Sequence, residues 1–348
     1  MTRPLVGDRS GYPAESMWRT PLRARRADPT RAGAPLGARV LRAVQRQALA
    51  FALVAVVVSA AGVGFELSGG VSLENALQLW LWIGVFAALL VAVVREFGRN
   101  TITSVARLGK HRGYSVLGAA PQLTPQALRQ LPPNARNPVG ALIQQPASAF
   151  ASAFRDLQDA IAADQVVAFI APRFDEGATT SALCAAISAM QQGRRVIALD
   201  CDIRRRSLTR ALARTPSVGV FEAAERPEAW ASFVDYEDES GLPFMPAAQE
   251  NNPWRTLFGA PGFPLLLEQL RAEYDLIVLD CPPALANAEG AMLARMADRC
   301  VVVAAWDETP LSAVRSAMRA LRTRSRLTTG IYVNRVPQGF RFGRLRPD

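Results

Sequence analysis

The chain has 348 residues, half of them hydrophobic, and a formal net charge of +10 from 40 basic and 30 acidic side chains. That length holds one or two domains, and the apolar fraction is high for a chain bathed wholly in water. Four cysteines without a CxxC pair and a single histidine exclude a zinc site, which needs closely spaced thiolates or imidazoles. With no helix-turn-helix or aromatic–basic interleaving, the positive charge gives no reason to expect a nucleic acid partner.

In chain order, residues 1–47 form a basic segment with ten arginines against Asp8, Glu15 and Asp28, and its first fifteen or so residues read as disordered. Two uncharged apolar runs follow, 48–65 ("ALAFALVAVVVSAAGVGF") and 76–94 ("ALQLWLWIGVFAALLVAVV"). As helices, each is long enough for a hydrocarbon core of about 30 Å at about 1.5 Å per residue. The short turn between them carries Glu66 and Glu74 and no basic residue, while arginines flank both outer ends. By the positive-inside rule this predicts a two-pass membrane hairpin, 48–94, with both termini cytoplasmic. Trp80 and Trp82 suit an interfacial anchor.

Residues 95–147 read as a juxtamembrane segment, a short strand in "YSVLGAAP" and a Pro- and Gln-rich linker. From 148 to 348 strand and helix patterns alternate. "VVAFIA", "RVIALD", "LIVLD", "CVVVAAW" and "GIYVN" are short continuous apolar runs, as in parallel strands buried on both faces. Helices are expected over 179–192 and 310–324. The fold class is therefore α/β, a parallel sheet with ligand chemistry at the carboxyl ends of its strands. Cys201 and Cys281, at such ends, are expected to be small apolar fillers.

Three aspartates close strands: Asp200 with Asp202, and Asp280 before Pro282 and Pro283. With the turn Gly177–Ala178–Thr179–Thr180 entering a helix after the first strand, they form a place for Mg²⁺ and phosphate. Carboxylates hold the metal, and the helix N-terminus offers N–H donors. The segments "DEGATTSALCAAISAMQQGRRVIALDCDIRRRSL" and "YDLIVLDCPPALANAEGAMLARMADRCVVVAAWDETPLSAVRSAMRAL" resemble the bacterial protein-tyrosine kinases, cytoplasmic modules of polysaccharide co-polymerases and relatives of the MinD and ParA P-loop ATPases. The resemblance covers roughly 104–337.

It implies a MinD/ParA-type P-loop fold, Mg-ATP or Mg-ADP as the cofactor, and attachment to a bacterial inner membrane. It implies as partners a polysaccharide chain-length determinant, a polymerase or export proteins, and further copies of the chain in a homo-oligomer. It places Gly177, Thr179 and Thr180 around phosphate, Thr179, Asp200 and Asp280 around Mg²⁺, and Asp200 and Asp202 as catalytic candidates.

The departures are as informative. The lysine that reaches the β- and γ-phosphates is Ala178, and Lys110 is the only lysine in the chain. Asp175 and Phe174 replace a glycine and a proline, and Asp175 is expected to bring negative charge to the phosphate position. Arg173 is the one nearby substitute for the lysine. The tail "QGFRFGRLRPD" lacks the family's tyrosine cluster, Tyr332 falls inside the last strand, and the ring-forming Glu-x-x-Arg-x-x-Arg is reduced to Ser152, Arg155 and Gln158. Three functions follow: a non-catalytic component of exopolysaccharide or capsule assembly, an active ATP-dependent tyrosine kinase with an atypical loop, or a membrane-tethered positioning protein of the MinD type.

Overall fold

The computed structural model describes residues 56–63, 79–88, 90, 101–102, 114–249, 256–322 and 327–338. The basic segment 1–47 and the tail from 339 lie outside them. The chain divides into two compact units, residues 28–100 and the remainder.

The two apolar runs are described only in part, 48–55, 64–65, 76–78, 89 and 91–94 lying outside the described residues. What is described of them is helical, 56–63 and 79–88. These turns touch: the Ser59 hydroxyl donates to the Trp80 carbonyl at 3.0 Å, and a Cβ added to Gly62 would fall 1.9 Å from the Trp80 ring. No helix among the described residues is long and apolar enough to cross a membrane.

The larger unit is built on an eight-stranded sheet with the order β1-β8-β7-β2-β6-β3-β5-β4. Its strands are β1 (Ser115–Pro121), β2 (Val166–Ile170), β3 (Val196–Asp200), β4 (Asp235–Tyr236), β5 (Pro243–Met245), β6 (Leu276–Asp280), β7 (Arg299–Ala305) and β8 (Thr328–Val336). All neighbours are parallel except β4, which runs antiparallel to β5 at the edge. The strands expected from the sequence are β1, β2, β3, β6, β7 and β8.

Strand side chains alternate between two cores, because successive Cβ atoms leave opposite faces. Val166, Ala168 and Ile170 join one core; Val167 and Phe169 join the other. Helix α4 (Ala178–Gln191) lies on the second face, its residues 181–189 all buried beneath α3 (Ala149–Ala160) and α2 (Pro138–Gln144). Helices α7 (Phe263–Glu273), α8 (Ala288–Ala294) and α9 (Leu311–Leu321) contribute to the first. Two short helices, α5 (Ser207–Ala211) and α6 (Val220–Glu225), follow β3. All four cysteines are buried and unpaired, as a filler role requires.

The stretch read as a linker is instead ordered into the domain. It follows the expected strand β1, which pairs with β8, and holds α1 (Pro125–Arg129) and α2. Its prolines are helix starts: Thr124 and Asn137 accept from Ala127 N and Gly140 N, with Pro125 and Pro138 next in line. A capping side chain followed by proline at the first helical position is a start signal. Ser148 caps α3 in the same way, accepting from Ala151 N at 3.2 Å.

At the opposite end of the sheet from the loop, Asp298 ties the start of β2 to α7. Its Oδ2 accepts from Val166 N at 2.8 Å and from Gln165 N at 3.2 Å, and Arg271 grips both oxygens. Burial pushes the Asp298 carboxyl up, but these bonds outweigh it and hold the group below its usual range. Asp298→Ala leaves two backbone donors and a guanidinium without their acceptor. An expected loss of about 1–3 kcal/mol follows, to be read from the denaturation midpoint of the full chain in detergent.

Candidate functional site

Strand β2 ends where the chain must turn sharply into α4, and the turn 172–177 faces the crevice outside the ends of β2, β6 and β3. Such crevices are where ligands bind open α/β sheets. Gly177 caps α4 with φ 95°, and a Cβ there would stand 1.9 Å from Asn334 Nδ2. Only glycine fits, on both backbone and space grounds. No side chain caps α4, so its first N–H groups are left for other partners. Ala178, Thr179 and Thr180 make up that first turn, each half-buried.

Asp175 lies on the exposed side of the turn 172–177. Its φ is 62°, and its side chain is 86% exposed and pairs with Arg205 at 3.8 Å. The left-handed backbone turns the carboxylate out to solvent. Arg205 also stacks over the exposed Phe174 ring, 4.3 Å from its centroid. The two departures in the loop thus share one partner, supplied by the Asp-x-Asp-x-Arg segment. The carboxylate that turns inward is Glu176, 6% exposed, which accepts from Arg173 N at 3.0 Å. Burial pushes Glu176 up, opposed by that bond, by the Thr309 hydroxyl and by the charges of Arg173 and Arg335. Arg173 itself is exposed, with its charge felt at Glu176.

The strand-end aspartates meet as expected but differ in their commitments. Asp200 and Asp280 are register partners on neighbouring strands. Asp200 is fully buried, and its Oδ2 accepts from Thr209 N at 2.8 Å and Thr209 Oγ1 at 2.6 Å. The same Thr209 hydroxyl accepts from Ala247 N at 2.8 Å, so Asp200 anchors two loops. Asp202 accepts from Arg205 N at 3.0 Å and from Ser207 Oγ at 3.2 Å. Both carboxylates are engaged in local structure.

Asp280 is not. It is 1% exposed, accepts from the Thr179 hydroxyl, and its Oδ2 has no hydrogen-bond partner among the described residues. Burial pushes its carboxyl well above the usual range, helped by the charges of Asp200 and Asp202 and opposed by Thr179. Burial likewise pushes Asp200 up to about 7, against its bonds to Thr209 and with the charge of Asp202 behind it.

The residues present fit one half of what a Mg-nucleotide would need. An orphaned buried carboxylate oxygen beside a hydroxyl, under an uncapped helix N-terminus, suits a hydrated cation and the phosphates it bridges. Thr179 and Asp280 would hold the metal, and the N–H groups at 177–180 would face the phosphates. The lysine side is missing, since Ala178 ends at its Cβ.

The other eroded features are structurally committed. Gln158 is buried, with Nε2 donating to Ala185 O at 2.8 Å, and Arg155 donates to Pro146 O at 2.7 Å. Tyr332 is fully buried and bonded to Ala153 O at 3.2 Å, so its hydroxyl is closed to a kinase in the folded state. Sequence reasoning missed Glu176, Arg205 and Thr309. Only the strand-end position of Arg205, three residues after Asp202, offered any signal.

The fold is a largely parallel α/β sheet with helices on both faces. The domain resembles bacterial tyrosine kinases: it aligns with the BceF tyrosine kinase domain at 23% identity and TM-score 0.57, covering 68% of this chain and 100% of that one. It aligns with the kinase domain of the Escherichia coli tyrosine kinase ETK at 19% identity and TM-score 0.60, covering 71% and 100%. These identities speak for the fold alone.

In sequence, the chain is similar to the succinoglycan biosynthesis transport protein ExoP of Rhizobium meliloti, 24% identical over 206 residues, 56% of this chain and 26% of the relative. It is similar to EpsB of Ralstonia solanacearum, 26% identical over 272 residues, 75% of this chain and 36% of the relative. It is also similar to the tyrosine-protein kinase YwqD of Bacillus subtilis, 26% identical over 159 residues, 46% of this chain and 67% of the relative. The matches to ExoP and EpsB span about a quarter to a third of those relatives' length. No protein-family model matches the chain.

Proposed function

We propose that this protein is a membrane-anchored, non-catalytic component of exopolysaccharide or capsule assembly, working through contacts with a chain-length determinant, polymerase or export protein. The observation that carries the non-catalytic reading is Ala178 at the first position of α4, in a chain whose only lysine is Lys110. Asp200 and Asp202 support it, since both are consumed by loop hydrogen bonds. ExoP, a relative by sequence, supports the assignment to polysaccharide export. The apolar runs 48–65 and 76–94, with Trp82 73% and Phe86 68% exposed, support anchoring as a two-pass hairpin in the inner membrane with both termini cytoplasmic.

Deleting the gene is expected to change polymer amount or length, and complementation with Asp280→Asn is expected to restore the wild-type polymer. If a stably folded Asp280→Asn protein fails to restore it, the non-catalytic reading is lost.

The second reading is an active ATP-dependent tyrosine kinase or ATPase, and one observation favours it: the orphaned Oδ2 of Asp280 beside Thr179. In that reading Arg173 substitutes for the lysine, because guanidinium binds phosphate well. The positioning reading has less support. A fixed hairpin would forbid cycling on and off a membrane.

A further inference from the structure

Thr101 and Ile102, which follow the second apolar run in sequence, are bound into the larger unit. Thr101 forms an antiparallel bridge with Pro310, and its hydroxyl donates to Asp307 Oδ1 at 3.1 Å. Ile102 is buried in the domain core; its N–H donates to Thr309 O at 3.3 Å and its carbonyl accepts from Asp307 N at 2.9 Å. These two residues therefore grip the turn between β7 and α9 by backbone, side chain and core packing at once.

That turn in turn grips the loop after β2. The buried Thr309 hydroxyl reaches Glu176 and also accepts from Ala305 N at 2.8 Å. Glu308 pairs with Arg335 at 2.9 Å, and the other Arg335 amine donates to Asp175 O at 2.8 Å. Asn334 Nδ2 donates to Glu176 O at 3.3 Å. Asp175, Asp307 and Arg335 all have positive φ, 62°, 55° and 59°. Non-glycine residues keep such conformations only where the surroundings over-determine them. Three of them on one connected path mark a region held from several sides.

We infer that Thr101 and Ile102 are positioning residues for the phosphate-type loop: a strap that ties residues 101–102, through the 305–310 turn and Arg335, to Asp175 and Glu176. The path runs entirely through described residues of the larger unit, and it does not depend on whether the loop binds nucleotide. Its consequence is that whatever displaces residues 101–102 alters the loop, and a ligand fixing the loop steadies the strap to the same degree.

The test is amide hydrogen exchange on the full chain in detergent micelles, wild type against Thr101→Val and Arg335→Gln. Thr101→Val removes one hydroxyl donor and leaves Ile102 in the core. Exchange at 173–177 is expected to quicken roughly threefold to tenfold, the loss of one hydrogen-bonded anchor. Amides 166–168, at the far end of β2, should keep their protection. The double variant is expected to fall short of the product of the two single effects, because both act on one path. Faster exchange at 306–310 with an unchanged loop overturns the inference. So does equal quickening at 166–168, which marks a global loss of stability, or a fully multiplicative double variant.

Discussion

Ala178→Lys is expected to give the full chain a nucleotide-binding site that the wild type lacks or holds only feebly. A hydrogen bond to a charged group contributes about 1.5–3 kcal/mol, so Mg-ADP and Mg-ATP should bind roughly ten- to a hundredfold more tightly. The opposing terms are smaller. A cation at a helix N-terminus costs about 0.3–1 kcal/mol before phosphate arrives. Ala178 is half-buried rather than sealed in, so a lysine stem has a way out. The charge of Asp175 is weakened by solvent and by its pairing with Arg205 at 3.8 Å. Calorimetry on wild type and variant in the same detergent reads the difference. If the wild type already binds as tightly as the variant, the lysine has been replaced, and Arg173→Gln becomes the variant to measure next.

Much of this arrangement could be read from the sequence because parallel strands buried on both faces announce themselves. "VVAFI", "VIALD" and "LIVLD" leave no polar face for water, and the aspartates that end the latter two fall in register as Asp200 and Asp280. The first turn of α4 was equally legible, since Gly177 must sit where strand gives way to helix. The stretch after β1 was read as a linker because proline and glutamine suggest one, whereas Pro125 and Pro138 each follow a capping side chain and open a helix. Nor could spacing alone say which of two adjacent acids, Asp175 or Glu176, turns inward. That choice rests on a left-handed backbone at Asp175, enforced by Arg335 and Thr309, which lie more than a hundred residues further along the chain. Likewise, three strand-end aspartates look alike in sequence, and only Thr209 and Ala247 distinguish Asp200 from Asp280.

That distinction sets the last prediction. Asp200→Ala removes the acceptor of a buried backbone N–H and a buried hydroxyl, and should destabilise the protein by about 2–4 kcal/mol, because buried donors left unsatisfied lose their full desolvation cost. Asp280→Asn should act the other way. The carboxylate is buried, faces Asp200 and has one oxygen without a partner, so its ionised form is held at a cost to the fold. Both aspartates have folded pKa values raised above an ordinary 3.8, Asp200 to about 7. Between those limits the folded state binds more protons than the unfolded one, so stability falls as pH rises. The contribution of the pair is fully present below about pH 3.8 and is lost as pH climbs through the folded values. Carboxylates held low by arginine, Asp275 and Asp298, act in the opposite sense, but only as pH falls towards and below their ordinary range. Wild-type melting temperature in detergent should therefore rise from pH 7.5 to pH 5. Asp280→Asn should be the more stable protein at pH 7.5 and should flatten that rise. A variant that melts lower than wild type at pH 7.5 would mean that Asp280 is bound to a structural partner after all, and the open half of the site would lose its foundation. Stability gained on neutralising Asp280 would instead show a charge kept against the interest of the fold, as residues that serve a ligand are.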